Sequence, residues 1–107
     1  MFETEEQKER IILVAVATAD GDDTEQSLDE LEELGQTAGA VTVAKVIQNR
    51  EKVHAGTYVG KGKIEEIKNL AISLDADTVV CDDELSPAQY HNLQDALEIK
   101  VIDRTVM

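Results

Sequence analysis

The sequence predicts an α/β fold, a four-stranded and mostly parallel sheet with helices on both faces. Three observations carry that expectation. Short aliphatic and β-branched runs alternate with stretches of helical apolar spacing, the pattern of strand-helix-strand crossovers. The first run, Ile11 to Ala17, is apolar throughout, as a strand buried on both sides must be. A length of 107 residues with 42% apolar content suits one hydrophobic core without staples.

Residues 1–9 are mostly polar or charged with no apolar period and read as a flexible lead-in to a domain over residues 10–107. The first strand ends in the turn cluster Asp20-Gly21-Asp22-Asp23. Asp22 and Glu25 have capping-box spacing, Leu28, Leu31 and Leu34 form the apolar stripe of a first helix, and Gly39 is its stop. Val41 to Gln48 is β-branched but interrupted by Thr42, Lys45 and Gln48, which suits a less buried second strand. A basic, irregular stretch from Asn49 to Thr57 leads into Tyr58-Val59-Gly60-Lys61-Gly62-Lys63. From Ile64 the spacing is helical, with Ile64, Ile67, Leu70, Ala71 and Leu74 on one face. Thr78 to Cys81 is a third, short buried strand. Ser86-Pro87 starts a third helix, since the hydroxyl can accept from an orphan amide and proline lacks only an N–H that the first turn does not need. Tyr90, Leu93 and Leu97 face inward from it, and Lys100 to Asp103 is the last strand. Placing the more apolar strands centrally under right-handed crossovers gives the order 2-1-3-4. The carboxyl ends of strands one and three then form the crevice where ligands of open α/β sheets bind.

Charge and cysteine content narrow the function. Twenty-three acids against ten bases give a net −13, which disfavours non-specific nucleic-acid binding by the domain as a whole. The net is −10 over residues 1–35, +3 over 36–70 and −6 over 71–107. An anionic partner would meet the middle third. One cysteine excludes an internal disulfide framework. The longest apolar run falls far short of the roughly 20 residues that span a bilayer, so the expectation is a cytoplasmic protein with no membrane span.

Two constellations could carry chemistry. Asp20, Asp82 and Asp83 leave the crevice strands, and converging carboxylates suit a hard cation such as magnesium, alone or with a phosphate. The plainer reading is that such acids are helix caps and dipole partners. The second is Gly60-Lys61-Gly62-Lys63 at a helix start, where backbone amides, the macrodipole and two lysines favour an anion. It is no nucleotide P-loop, which has four residues between its glycines and then Gly-Lys-Ser/Thr. A simple glycine turn is its plainer reading. His54 and His91 lack a second ligand at zinc spacing, Cys81 reads as a core thiol, and no nucleophilic triad can be assembled, so no catalytic residue is assigned.

Four segments together carry a resemblance: Ser27 to Leu34 (SLDELEEL), Thr57 to Glu66 (TYVGKGKIEE), Asp82 to Gln89 (DDELSPAQ) and Val101 to Thr105 (VIDRT). In this order and at these separations they resemble the N-terminal domain of the HflX family of ribosome-associated GTPases, from about Arg10 to the end. The resemblance implies a domain ahead of a helical segment and a Ras-like G domain, with large-subunit binding and GTP hydrolysis by the whole protein. GTP and magnesium are expected in such a parent, and no cofactor in this fragment. The expected role is an accessory domain that contacts ribosomal RNA and regulates the G domain. Arg50, Lys52, Lys61 and Lys63 would supply phosphate contacts, Gly60 and Gly62 would bare the backbone, and Tyr58 would stack on a base. The rival function is a nucleotide or magnesium-phosphate module acting at the crevice.

Overall fold

A computed structural model describes residues 8–18, 23–50 and 52–106. The element order is β1 (Glu9–Ala17), α1 (Thr24–Thr37), β2 (Ala40–Asn49), α2 (Lys61–Leu74), β3 (Thr78–Cys81), α3 (Pro87–Leu97) and β4 (Lys100–Asp103). The sheet is parallel throughout, in the expected order β2-β1-β3-β4.

Alternation along β1 explains its unbroken apolar run. Ile12, Val14 and Val16 enter the core under α2 and α3, with Ile67, Ala71, Leu93 and Leu97. Ile11, Leu13 and Ala15 enter the core under α1, with Leu28 and Leu31. The strand period of two thus feeds both faces from one segment. Each Ile, Leu or Val side chain so buried is worth about 1.5–3 kcal/mol, and β1 supplies the centre of the sheet. β2, at the edge, needs only one deeply buried apolar side chain in its middle, Val46. It also carries one extra residue: Ile11 faces Thr42 but Ile12 faces Ala44, so Val43 bulges,. Lys45 leans from this strand to Glu32 and Asp29 of α1 at 2.7 and 3.0 Å.

The helix limits differ in detail from the sequence reading. In α1 the buried side is Leu28, Leu31 and Gly35, while Leu34 is 44% exposed. Leucines three apart drift round a 3.6-residue helix, and Gly35 takes the inward place that Leu34 cannot reach. Asp23 is the N-cap without a side-chain bond, and the expected Asp22 cap lies outside the described residues. Gly39, at φ +91, turns the chain from α1 into β2, a conformation glycine adopts without penalty. α2 begins at Lys61, one turn ahead of its apolar stripe, so Lys61, Gly62 and Lys63 are helical.

α3 begins as expected at Pro87, and its cap is more complete than the hydroxyl alone. Ser86 Oγ accepts from the Gln89 amide at 3.1 Å and Gln89 Oε1 accepts from the Ser86 amide at 2.9 Å, a reciprocal capping box. Ser86→Ala is expected to lower stability by about 1 kcal/mol, read as an earlier urea midpoint at unchanged slope.

Candidate nucleic-acid interface

The cationic third of the chain folds as the end of β2, an irregular turn, and the first turn of α2. Arg50 prolongs β2 by one rung, its amide donating to the Ala17 carbonyl at 3.1 Å. Two residues earlier, Gln48 Oε1 accepts from the Gly60 amide at 2.7 Å. That bond fixes the start of α2 against the end of β2. Gly60 is buried, and a Cβ there would lie 2.8 Å from Arg50 Nη1. The guanidinium thus lies against the N-cap, and a side chain at position 60 would have to push this flexible group aside. Arg50 Nε donates to the Lys52 carbonyl at 3.2 Å, which curls the segment back on itself.

The turn between is organised by His54. Its Nδ1 accepts from the amides of Gly56 and Thr57 at 3.1 and 3.2 Å, and its backbone bridges to Tyr58. α3 holds the turn from outside: Gln89 Nε2 donates to the His54 carbonyl and Asn92 Nδ2 to the Gly56 carbonyl, both at 2.9 Å. His54 is therefore an exposed histidine with a local structural task.

At the head of α2, the Ile64 amide already bonds the Gly60 carbonyl at 3.0 Å. The amides of Lys61, Gly62 and Lys63 precede the first intrahelical bond and carry the positive end of the macrodipole. Lys61 and Gly62 are exposed, and a Cβ at Gly62 would meet nothing within 4 Å. Lys63 is partly neutralised by Glu66 at 3.0 Å. Among the described residues, no carboxylate pairs with Arg50, Lys52 or Lys61. Lys61 and Gly62 thus form an exposed lip with Arg50 beside it, Lys52 extends it on the turn, and Lys63 flanks it with its charge shared; Gly60, expected to bare its backbone, is instead buried with its amide taken by Gln48.

Tyr58 departs from the expected role. Its side chain is fully buried in the core under α2 and α3, so no base can stack on it. Its backbone is left-handed, φ +71, uncommon for a bulky residue. Its hydroxyl donates to Asp83 Oδ2 at 2.8 Å. Burial first, then the charge of Asp83, pushes the phenol well above its usual range.

That placement also bears on the crevice. Asp83 is occupied by Tyr58, and Asp82 Oδ1 accepts from Arg104 Nη2 at 2.8 Å and Nε at 3.1 Å. The same Nη2 donates to the Ser27 carbonyl and Oγ, each at 2.8 Å. The carboxylates offered as a cation site are engaged by the protein's own donors, and Asp20 lies outside the described residues. Among the described residues, no group of three metal-binding side chains converges. Cys81 is a buried thiol raised by burial and by Asp103, as its strand position predicts.

The family model for the GTP-binding GTPase N-terminal domain matches residues 25–107. The chain belongs to this family. As an HflX-type domain it is 64% identical over its full length to the GTPase HflX of Lacrimispora saccharolytica, of which it covers 25%. It is 43% identical over 105 residues to the GTPase HflX of Caldanaerobacter subterraneus subsp. tengcongensis, covering 24% of that protein. Against the GTPase HflX of Escherichia coli the identity is 35% over 105 residues, again 24% of the relative. The chain therefore spans about a quarter of the length of the curated relatives it matches. Among solved structures, the crystal structure of a mutation variant of SsGBP matches with a TM-score of 0.54 at 16% identity, covering 87% of this chain and 28% of that one. At that identity the likeness concerns the fold.

The sequence missed Gln48, Arg104 and Asp103. Asp103 is only 1% exposed and accepts from the Leu85 amide at 2.8 Å and the Thr105 amide and hydroxyl at 3.0 and 2.6 Å. The available signal for the last two was Asp103-Arg104-Thr105, three polar residues closing a buried strand. Gln48 carried no signal, because an edge-strand glutamine has no preferred task.

Proposed function

We propose that this HflX-type domain is an accessory docking module of a GTPase, and that it meets the large ribosomal subunit through RNA phosphates. In this reading residues 10–107 are the working unit in the cytoplasm, and GTP with its magnesium belongs to a G domain elsewhere in the parent protein. The observation that carries it is the lip: first-turn amides of α2 that precede its first intrahelical bond, Lys61 exposed beside them, and the Arg50 guanidinium laid on Gly60. A helix start with adjoining cations suits phosphate oxygens. The acidic remainder of the chain would confine contact to that one edge and repel RNA elsewhere. A magnesium ion held by the two aspartates with a nucleotide phosphate would have to compete with Tyr58 and Arg104 for their oxygens.

The test uses a chimera in which this chain replaces the matching quarter of the Lacrimispora saccharolytica GTPase HflX. Lys61→Glu with Lys63→Glu is expected to weaken large-subunit binding about tenfold or more and to flatten its salt dependence by about one unit of slope per lost contact. Unchanged affinity across the salt series would remove the lip from the interface.

A further inference from the structure

We infer that the loop Asp82–Leu85 is a relay joining the β2–α2 segment to the segment that leaves β4. The inference rests on the RNA-docking reading for its functional consequence and on side-chain geometry for the relay itself.

Two neighbouring carboxylates are held by donors from different parts of the chain. Tyr58, two residues before the α2 N-cap, donates to Asp83 Oδ2 at 2.8 Å. Arg104, the first residue after β4, donates to Asp82 Oδ1 at 2.8 Å and to Ser27 at the start of α1. The far end of the loop is held as well, the Leu85 amide bonding Asp103 Oδ2 at 2.8 Å. Among the described residues, the hydrogen bonds that side chains elsewhere make to this loop come from Tyr58 ahead of α2 and from Asp103 and Arg104 at the end of β4.

Two physical arguments make this a linkage. Asp82 and Asp83 are successive residues of one short loop, so a donor lost from Asp83 frees the peptide link they share and loosens the hold of Asp82 on Arg104,. Tyr58 is also the point of backbone strain in the lip segment, φ +71. A strained residue keeps its conformation only while its surroundings over-determine it. Contact at the lip that shifts Gly60 would therefore be felt at Asp83, then at Asp82, Arg104 and the exit.

The relay is tested first on the 107-residue chain. Tyr58→Phe keeps the ring and removes only the hydroxyl. The Arg104 Nε–H resonance is followed by NMR, and its exchange with solvent is expected to quicken by about fivefold or more. An unmoved Arg104 resonance in a folded Tyr58→Phe chain would overturn the relay. The second arm uses the chimera. Tyr58→Phe and Arg104→Lys should each leave large-subunit affinity within about twofold while lowering subunit-stimulated GTP turnover about fivefold, with the double variant no worse than either single one. Additive losses would also overturn it. If the unsubstituted chimera fails to bind the subunit, the docking reading fails and the Arg104 resonance still decides the relay.

Discussion

Tyr58→Ala is expected to destabilise the chain by about 3–5 kcal/mol, a large share of the total stability of a domain this size. The ring is among the largest fully buried side chains and sits in the core with Val16, Val59 and Leu85. Its removal leaves a cavity among residues from β1, the segment before α2 and the loop after β3, which are too far apart in sequence to collapse together easily. Alanine does not relieve the left-handed backbone either, since that conformation disfavours any Cβ. Tyr58→Phe separates the hydroxyl from the ring and should cost about 1–2 kcal/mol, the loss of one hydrogen bond to a charged group. The pair also gives a pH signature. The folded phenol lies above its unfolded value near 10, because burial and Asp83 favour the neutral form. Stability from this group is complete below pH about 10 and is lost as pH rises beyond it. Urea midpoints should therefore fall more steeply in alkali for the native chain than for Tyr58→Phe. A Tyr58→Ala cost below about 1 kcal/mol would show that the ring holds no core position.

Asp103→Ala is expected to cost about 2–4 kcal/mol, by leaving the Leu85 amide and both Thr105 donors without their acceptor,. Burial by itself would raise this carboxyl, but the bonds from Thr105 and Leu85 outweigh it and hold the group below the ordinary range. Its folded value is therefore lower than the unfolded one near 3.9. The stability it contributes is present above pH about 4 and is lost as pH falls through the folded value. Acid unfolding should be less steep in Asp103→Ala than in the native chain. Asp103→Asn keeps one acceptor oxygen and turns an NH2 toward a donor, so it should fall between the two. Equal acid profiles for all three chains would show that another carboxylate governs the transition.

The sheet order was legible because polarity ranks the strands. Ile11 to Ala17 has no polar residue, and Lys45 and Gln48 disqualify the second strand from the centre. Parallel pairing then followed from the crossovers, without knowledge of any contact. The helix starts were legible only where a cap is chemical, as at Ser86-Pro87. Where the cap is a glycine held by a distant glutamine, as at Gly60, periodicity placed the start a turn late, because the first turn of α2 is polar and exposed. The lip was legible as charge, since Arg50, Lys52, Lys61 and Lys63 fall close together in sequence. Tyr58 was not. An aromatic ring beside a glycine in a basic stretch suits stacking and burial equally, and the deciding facts are a positive φ and a carboxylate 25 residues away.

The extra residue in the outermost strand matters for molecules that meet one another. An open strand of ten residues is long enough to recruit a neighbour into a continuous cross-molecular ladder. Val43 throws the outer rungs out of phase midway, and Lys45, clasped by Glu32 and Asp29, places an ionic cluster beside the break. Both features disfavour edge-to-edge pairing between copies of the chain.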